Sequence, residues 1–166
     1  MTPSDNPAVA NDRLADLRVR FSASAAALSM LLNRLAPDDW SRVCTAEGWP
    51  VALEGLHVAL GYRRQRGFLE DAFVRGRPAR FDWDETHELN AQIAGRRRPN
   101  AHFVMRFLED EAAKTRQRLE QFTTADLDRP TIDYEGRTLT LDQFIRGFLI
   151  GHVDGHTRSI RAALGR

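Results

Sequence analysis

From about Asn11 to Ala36 the apolar residues Leu14, Leu17, Phe21, Ala25, Leu28, Leu31, Leu32 and Leu35 recur at helical spacing. Positions three and four apart share one side of a helix, so this pattern predicts an amphipathic helix with one buried face. Pro37-Asp38-Asp39 stops it. A loop with Trp40, Cys44, Gly48 and Trp49 follows. Pro50 stands where a second helix starts, because a missing N–H costs nothing in the first turn. That helix runs from about Pro50 to Gln65, with continuation through Gly67 to Val74, and Leu53, Leu56 and Leu60 mark its inner stripe.

Residues 75–99 form a long connection punctuated by Gly76, Pro78, Gly95 and Pro99, with a short helix expected from Asp84 to Ala94. The third helix is expected from Asn100, its cap, to Phe122, along the stripe Val104, Leu108, Ala112, Thr115, Leu119 and Phe122. Alternation on either side of Glu135-Gly136 predicts a small β-hairpin. Thr140 with Gln143 three residues on is a capping box that opens a fourth helix, ending near Leu164. The expected fold is therefore all-α, a four-helix bundle with a long crossover between helices 2 and 3. Residues 1–10 are expected as a flexible N-terminus and residues 11–166 as one domain.

Composition narrows the function classes. At 42% hydrophobic the 166-residue chain can bury a core without staples. Net charge is +1 with 28% charged residues, which gives no bias toward nucleic acid or an anionic membrane. A single cysteine, Cys44, fits a reducing compartment. No basic, apolar leader opens the chain, and no run approaches the roughly 18 apolar residues of a membrane span. The expected location is the cytoplasm.

The chemical signal lies in the histidines. On the fourth helix, Leu141, Ile145, Phe148, Leu149, Ile160 and Ala163 share a face, and His152 and His156 fall in its middle, four apart. Two imidazoles so placed stand one above the other and can chelate one metal. They can equally be core histidines satisfied by neighbouring hydrogen bonds. His57, beside the inner stripe of the second helix, tips the balance toward metal. Three histidines leave open coordination positions, an arrangement typical of catalytic metals, and imidazole suits zinc, nickel, iron or copper. His87 and His102 read as surface residues.

Other residues are weaker candidates. Glu111, within the stripe of the third helix, is either a catalytic helper or a partly exposed edge carboxylate. Arg64, two turns after His57, either meets an acidic substrate or is solvated. Arg96-Arg97-Arg98 reads as a solvated loop, and Cys44 lies outside the histidine pattern. Two familiar metal motifs do not fit. His152-Val153-Asp154-Gly155-His156 lacks the glutamate of H-E-x-x-H, and Asp154 points to the opposite side of the helix. Only Glu54-Gly55-Leu56-His57 matches the Glu-x-x-His of a di-iron bundle, so a mononuclear site is expected.

Gly48-Trp49-Pro50-Val51 leading to His57, eight residues after the Trp, with the late His152 and His156, resembles the DinB-like superfamily. That superfamily includes the mycothiol-dependent maleylpyruvate isomerase type. The resemblance covers most of the chain. It implies a bundle with a long crossover, a divalent metal on His57, His152 and His156, and often a homodimer. Characterised members use or transfer a low-molecular-weight thiol, and many have no known activity. The resemblance thus implies a metal- and thiol-dependent transferase, isomerase or hydrolase acting on a small electrophilic substrate. The alternative is a non-enzymatic metal-binding stress-response protein acting as a dimer. There are departures from the family pattern. Leu53 stands where an acidic residue is common, and His152 where the isomerase type has glutamate. The chain also ends soon after the fourth helix, without the further domain of some isomerases. These points favour the generic metal-binding branch.

Overall fold

Leu14, Leu17, Phe21, Ala25, Leu28 and Leu32 are all buried, so the stripe read from spacing is the inward face of α1, Pro7–Leu32. A computed structural model describes residues 7–95 and 99–165, and the side chains of α1 from Arg13 onward. α1 thus starts at Pro7, earlier than the expected Asn11; residues 1–6 of the expected flexible terminus and Arg96-Arg97-Arg98 lie outside the described residues.

After a 3-10 turn at Pro37–Ser41, β1 (Val43–Cys44) pairs antiparallel with β2 (Trp49–Pro50). α2 spans Val51–Phe73. Pro50 is not its first helical residue but its N-cap, with ψ 149°. That extended backbone is what lets Pro50 pair with Val43, so one residue both closes the ribbon and aims the helix.

The connection to the next long helix holds β3 (Ala79–Arg80) and α3 (Trp83–Ala94). Asp82 caps α3 by accepting from the backbone N–H of Asp84 and Glu85. α4 spans Ala101–Leu119, and Asn100 caps it by accepting from His102 and Phe103, as the sequence predicts. The predicted hairpin is β4 (Pro130–Tyr134) against β5 (Arg137–Thr140). Glu135 and Gly136 both have positive φ, 48° and 77°, the geometry of a two-residue turn that matches strand twist. β3 adds to β4 in parallel, a pairing the sequence pattern did not signal.

The capping box forms: the Thr140 N–H donates to Gln143 Oε1 at 3.0 Å, and the Gln143 N–H donates to Thr140 Oγ1 at 3.4 Å. It opens α5 (Leu141–Phe144), which runs without a break into a π-helical stretch, Ile145–Gly151, and then α6, His152–Leu164. The fold is all-α. Its long helices enclose a main apolar core that includes Leu17, Phe21, Tyr62, Leu108, Phe144 and Ile160, beside a smaller cluster of Leu53, Leu56, Ile93 and Val104. α2 is buried almost all round at its start, where Val51 to Leu56 are all buried, as expected for a helix wrapped on every side.

Gly55 packs α2 tightly on α4: a Cβ there would stand 2.8 Å from Val104 Cγ1. At exposed Gly67 on the same helix an added Cβ meets nothing within 4 Å. Gly55→Ala is expected to lower stability by about 1–3 kcal/mol through overpacking, and Gly67→Ala to raise it by about 0.5–1 kcal/mol through helix propensity. Urea unfolding of both variants measures the contrast; equal shifts would contradict the packing described.

Candidate metal centre

His57 stands near the start of α2, and His152 opens α6 with His156 one turn later. The four-residue spacing puts the last two on one helix face. The packing of α6 on α2 brings the third to them. Ring centroids are 4.5 Å apart for His152 and His156, 4.7 Å for His57 and His156, and 5.1 Å for His57 and His152. One ligand atom from each lies within 4.8 Å of the others, so the group could hold a metal ion.

The donor geometry suits such an ion. Nε2 of His57 and Nε2 of His152 are 3.1 Å apart. Two imidazole nitrogens each about 2.0–2.1 Å from one zinc, at ligand angles between octahedral and tetrahedral, stand about 2.8–3.4 Å apart. Burial, then the charge of His156, pushes His57 down to about 3. Burial, then His156 and His57, holds His152 well below its usual value. Both rings are therefore neutral at ordinary pH. Neither Nδ1 has a hydrogen-bond partner among the described residues. If one Nε2–H donates to the other Nε2, one ring keeps an unpaired Nδ1–H and the other an unpaired Nδ1 lone pair. No choice of tautomers satisfies both rings, and an unpaired buried polar group costs about 1–3 kcal/mol. A cation takes both Nε2 lone pairs at once, though it gives the two Nδ1–H groups no partner.

The third ring is oriented from behind. His156 Nδ1–H donates to Oε1 of the fully buried Glu54 at 2.6 Å, which leaves Nε2 as its ligand atom. A carboxylate in this place fixes the tautomer and raises the basicity of a ligating histidine. Burial raises the Glu54 pKa, against the hydrogen bond and charge of His156. Glu47 Oε1 lies 3.9 Å from the same Nδ1, and its Oε2 accepts from Ser159 Oγ at 2.7 Å. Glu47, Glu54 and His156 form a second group of potential ligands. Glu54 Oε1 is engaged by His156, while Glu54 Oε2 has no hydrogen-bond partner among the described residues, so the carboxylate keeps a free oxygen beside the histidine trio.

Two small features set the rings. Gly61, one turn after His57, leaves room for the His152 ring: a Cβ there would sit 2.7 Å from its Cε1. The π-helical stretch ends where His152 begins, with the His152 N–H bonded to Gly147 O, five residues back. Such a turn changes the face that the following residues present, and is frequent at functional sites.

All three histidines line a cleft of about 1010 Å³. Trp49 stands edge-on to His57 at 5.3 Å on this wall. Arg64 lines the cleft too, but is not plainly solvated: it donates to Thr86 Oγ1 at 2.8 Å and Glu85 Oε2 at 2.9 Å, both on α3.

Glu111 does not line the cleft, and the reading of it as an edge carboxylate or helper is corrected. It is fully buried and accepts from Arg63 at 2.8 Å and also from Arg66. Burial would raise its pKa, but the hydrogen bonds from Arg63 and Arg66 outweigh that and hold it below the usual carboxylate range. It ties α4 to α2. Cys44 is buried, and burial, then the charge of Glu54, pushes its thiol up to about 11. It stands outside both ligand groups, as does Asp154. His87 is exposed and stacked on Trp83, and His102 is exposed.

Glu54 and Glu47 escaped the sequence reading of the site. For Glu54 a signal existed: it lies three residues before His57 on one helix, but its partner is His156, from a distant segment. Glu47, in the turn between β1 and β2, has no periodicity to betray it.

A family model described as the DinB superfamily matches residues 20–160. No curated protein and no solved structure matches the chain.

The depressed histidines make a pH prediction for the metal-free protein. Below their ordinary value of 6.5 the unfolded rings take up protons that the folded rings refuse. Stability is whole above that value and falls as pH drops through it toward the folded value of about 3 for His57. In the presence of chelator, the urea midpoint is expected to fall between about pH 7 and pH 5, and His57→Gln to flatten the fall. An unchanged slope in the variant would contradict the burial of a neutral ring.

Proposed function

The chain belongs to the DinB superfamily, and on that premise we propose that it holds one divalent ion, zinc, nickel or iron, on His57, His152 and His156. With that ion it acts as a thiol-dependent transferase, isomerase or hydrolase on a small electrophilic substrate. The observation that carries this reading is the pair of neutral Nε2 atoms facing each other at 3.1 Å on the wall of a cleft large enough for a small molecule.

A bound divalent ion in such a site lowers the pKa of water or a thiol to near neutrality. The chain's own residues supply the rest. Glu54 holds the Nδ1 proton of His156 and fixes its ring. Gly61 seats the His152 ring, and Trp49 covers one side of His57. The cleft receives the substrate and a low-molecular-weight thiol, and Arg64 stands on its wall as a cation. The cleft favours this enzymatic reading over a non-enzymatic metal-binding stress-response protein, which needs no such space. The reading further takes residues 11–166 as one domain that works as a cytoplasmic homodimer, with no nucleic acid or membrane partner. Among the described residues no helix is long and apolar enough to cross a membrane.

Element-resolved analysis of the purified protein is expected to find one divalent metal per chain, and to find it missing from His57→Ala and His152→Ala. Gly61→Ala, which crowds the His152 ring, is expected to weaken metal affinity by roughly 10–100-fold, the range for residues that support a ligand. Metal retained in His152→Ala would defeat the ligand assignment.

Cobalt substitution tests the thiol step. Adding a small thiol to the cobalt protein is expected to produce a saturable sulfur-to-cobalt charge-transfer band. With metal bound, no such band and no turnover with electrophiles would leave the non-enzymatic reading in place.

A further inference from the structure

α2 and the C-terminal helical run each present one stripe to the cleft. On α2 it reads His57, Gly61, Arg64, Gln65 and Phe68; on the C-terminal run it reads His156, His152 and Phe148. Both stripes pass from imidazole at one end to phenyl at the other. The eleven positions from His57 to Phe68 rise about 16 Å along the helix. The cleft is therefore long, with a metal-ligand end and an aromatic end.

At the aromatic end, the ring of Phe81 is 4.9 Å from Trp83, 5.2 Å from Tyr134 and 5.5 Å from Phe148, all edge-to-face. Trp83 nonetheless stays 46% exposed. Such a wall suits another ring.

One buried polar group on the wall lacks a partner, and one exposed cation there is not engaged by a carboxylate among the described residues. Gln65 is only 5% exposed, lines the cleft, and its Oε1 has no hydrogen-bond partner among the described residues. Arg137 lines the cleft from β5 directly opposite Tyr134, and no carboxylate pairs with it among the described residues. The other two cations of the wall are already engaged, Arg63 by Glu111 and Arg64 by Glu85.

We propose that the cleft takes an elongated aryl carboxylate. Its ring lies against the aromatic wall of Phe81, Tyr134 and Phe148, and its carboxylate meets Arg137. An N–H or O–H along its body donates to Gln65. This names the substrate class of the reaction proposed above, and rests on that reading only for the chemistry at the histidine end.

The test is calorimetric titration with 4-acetamidobenzoate, which carries the ring, the carboxylate and an amide N–H. Acetanilide lacks the carboxylate and 4-acetamidobutyrate lacks the ring. Saturable binding of 4-acetamidobenzoate is expected, with each truncated probe at least roughly tenfold weaker, the scale of one charge-assisted hydrogen bond or one buried ring. Arg137→Gln, on the exposed face of the hairpin, is expected to weaken 4-acetamidobenzoate roughly tenfold and leave acetanilide unchanged. Gln65→Leu is expected to weaken all three probes, since each carries an amide N–H. Equal affinity for acetanilide and 4-acetamidobenzoate, an unaffected Arg137→Gln variant, or no saturable binding would overturn the proposal. Metal content is measured on the same samples. Binding of 4-acetamidobenzoate to protein that never takes up metal would sink the metal chemistry and support this site; metal without binding would overturn this site alone.

Discussion

Two neutral imidazoles held nitrogen to nitrogen inside an apolar fold are the constraint around which the rest of the structure is arranged. His57 and His152 cannot separate, because the first half of α2 is packed on every side and His152 opens the helix that crosses it. They cannot charge, because burial pushes both far down. They satisfy each other only in part, because no pair of tautomers partners all four ring nitrogens among the described residues. The proposed ion takes both Nε2 lone pairs at once. Gly61, the π-helical stretch, Glu54 and Trp49 all serve to keep that arrangement in place.

The same two helices that hold the rings also build the space in front of them. Their cleft-facing stripes lead away from the histidines toward aromatic side chains, and the hairpin of β4 and β5 closes over that end with Tyr134 and Arg137. β3 pins the hairpin to the connection after α2. The long segment between α2 and α4 thus contributes walls: α3 supplies Glu85 and Thr86 to Arg64, and Phe81 and Trp83 flank its start.

The features legible in the sequence were those with local causes. The α1 stripe, the Asn100 cap, the Thr140 capping box and the Glu135-Gly136 turn each depend on residues within a few positions, so spacing alone disclosed them. His152 and His156 were legible for the same reason, and His57 through its place beside an apolar stripe. The misses were of two kinds. The pairing of β3 with β4 and the partnership of Glu54 with His156 join distant segments, and periodicity carries no record of them. The π-helical stretch departs from the plain helix that its spacing predicts, and the extended Pro50 follows from its pairing with Val43. Glu111 was misjudged because position on a stripe says nothing of which cations face it; Arg63 and Arg66 come from another helix.

The central claim is that the three imidazoles share one ion. X-ray absorption at the edge of the bound metal reads the ligands directly. The account predicts three imidazole scatterers with nitrogen at about 2.0–2.1 Å if the ion is zinc, with room for one or more lighter or sulfur ligands beside them. A shell made of oxygen alone, or with a single imidazole, would contradict it.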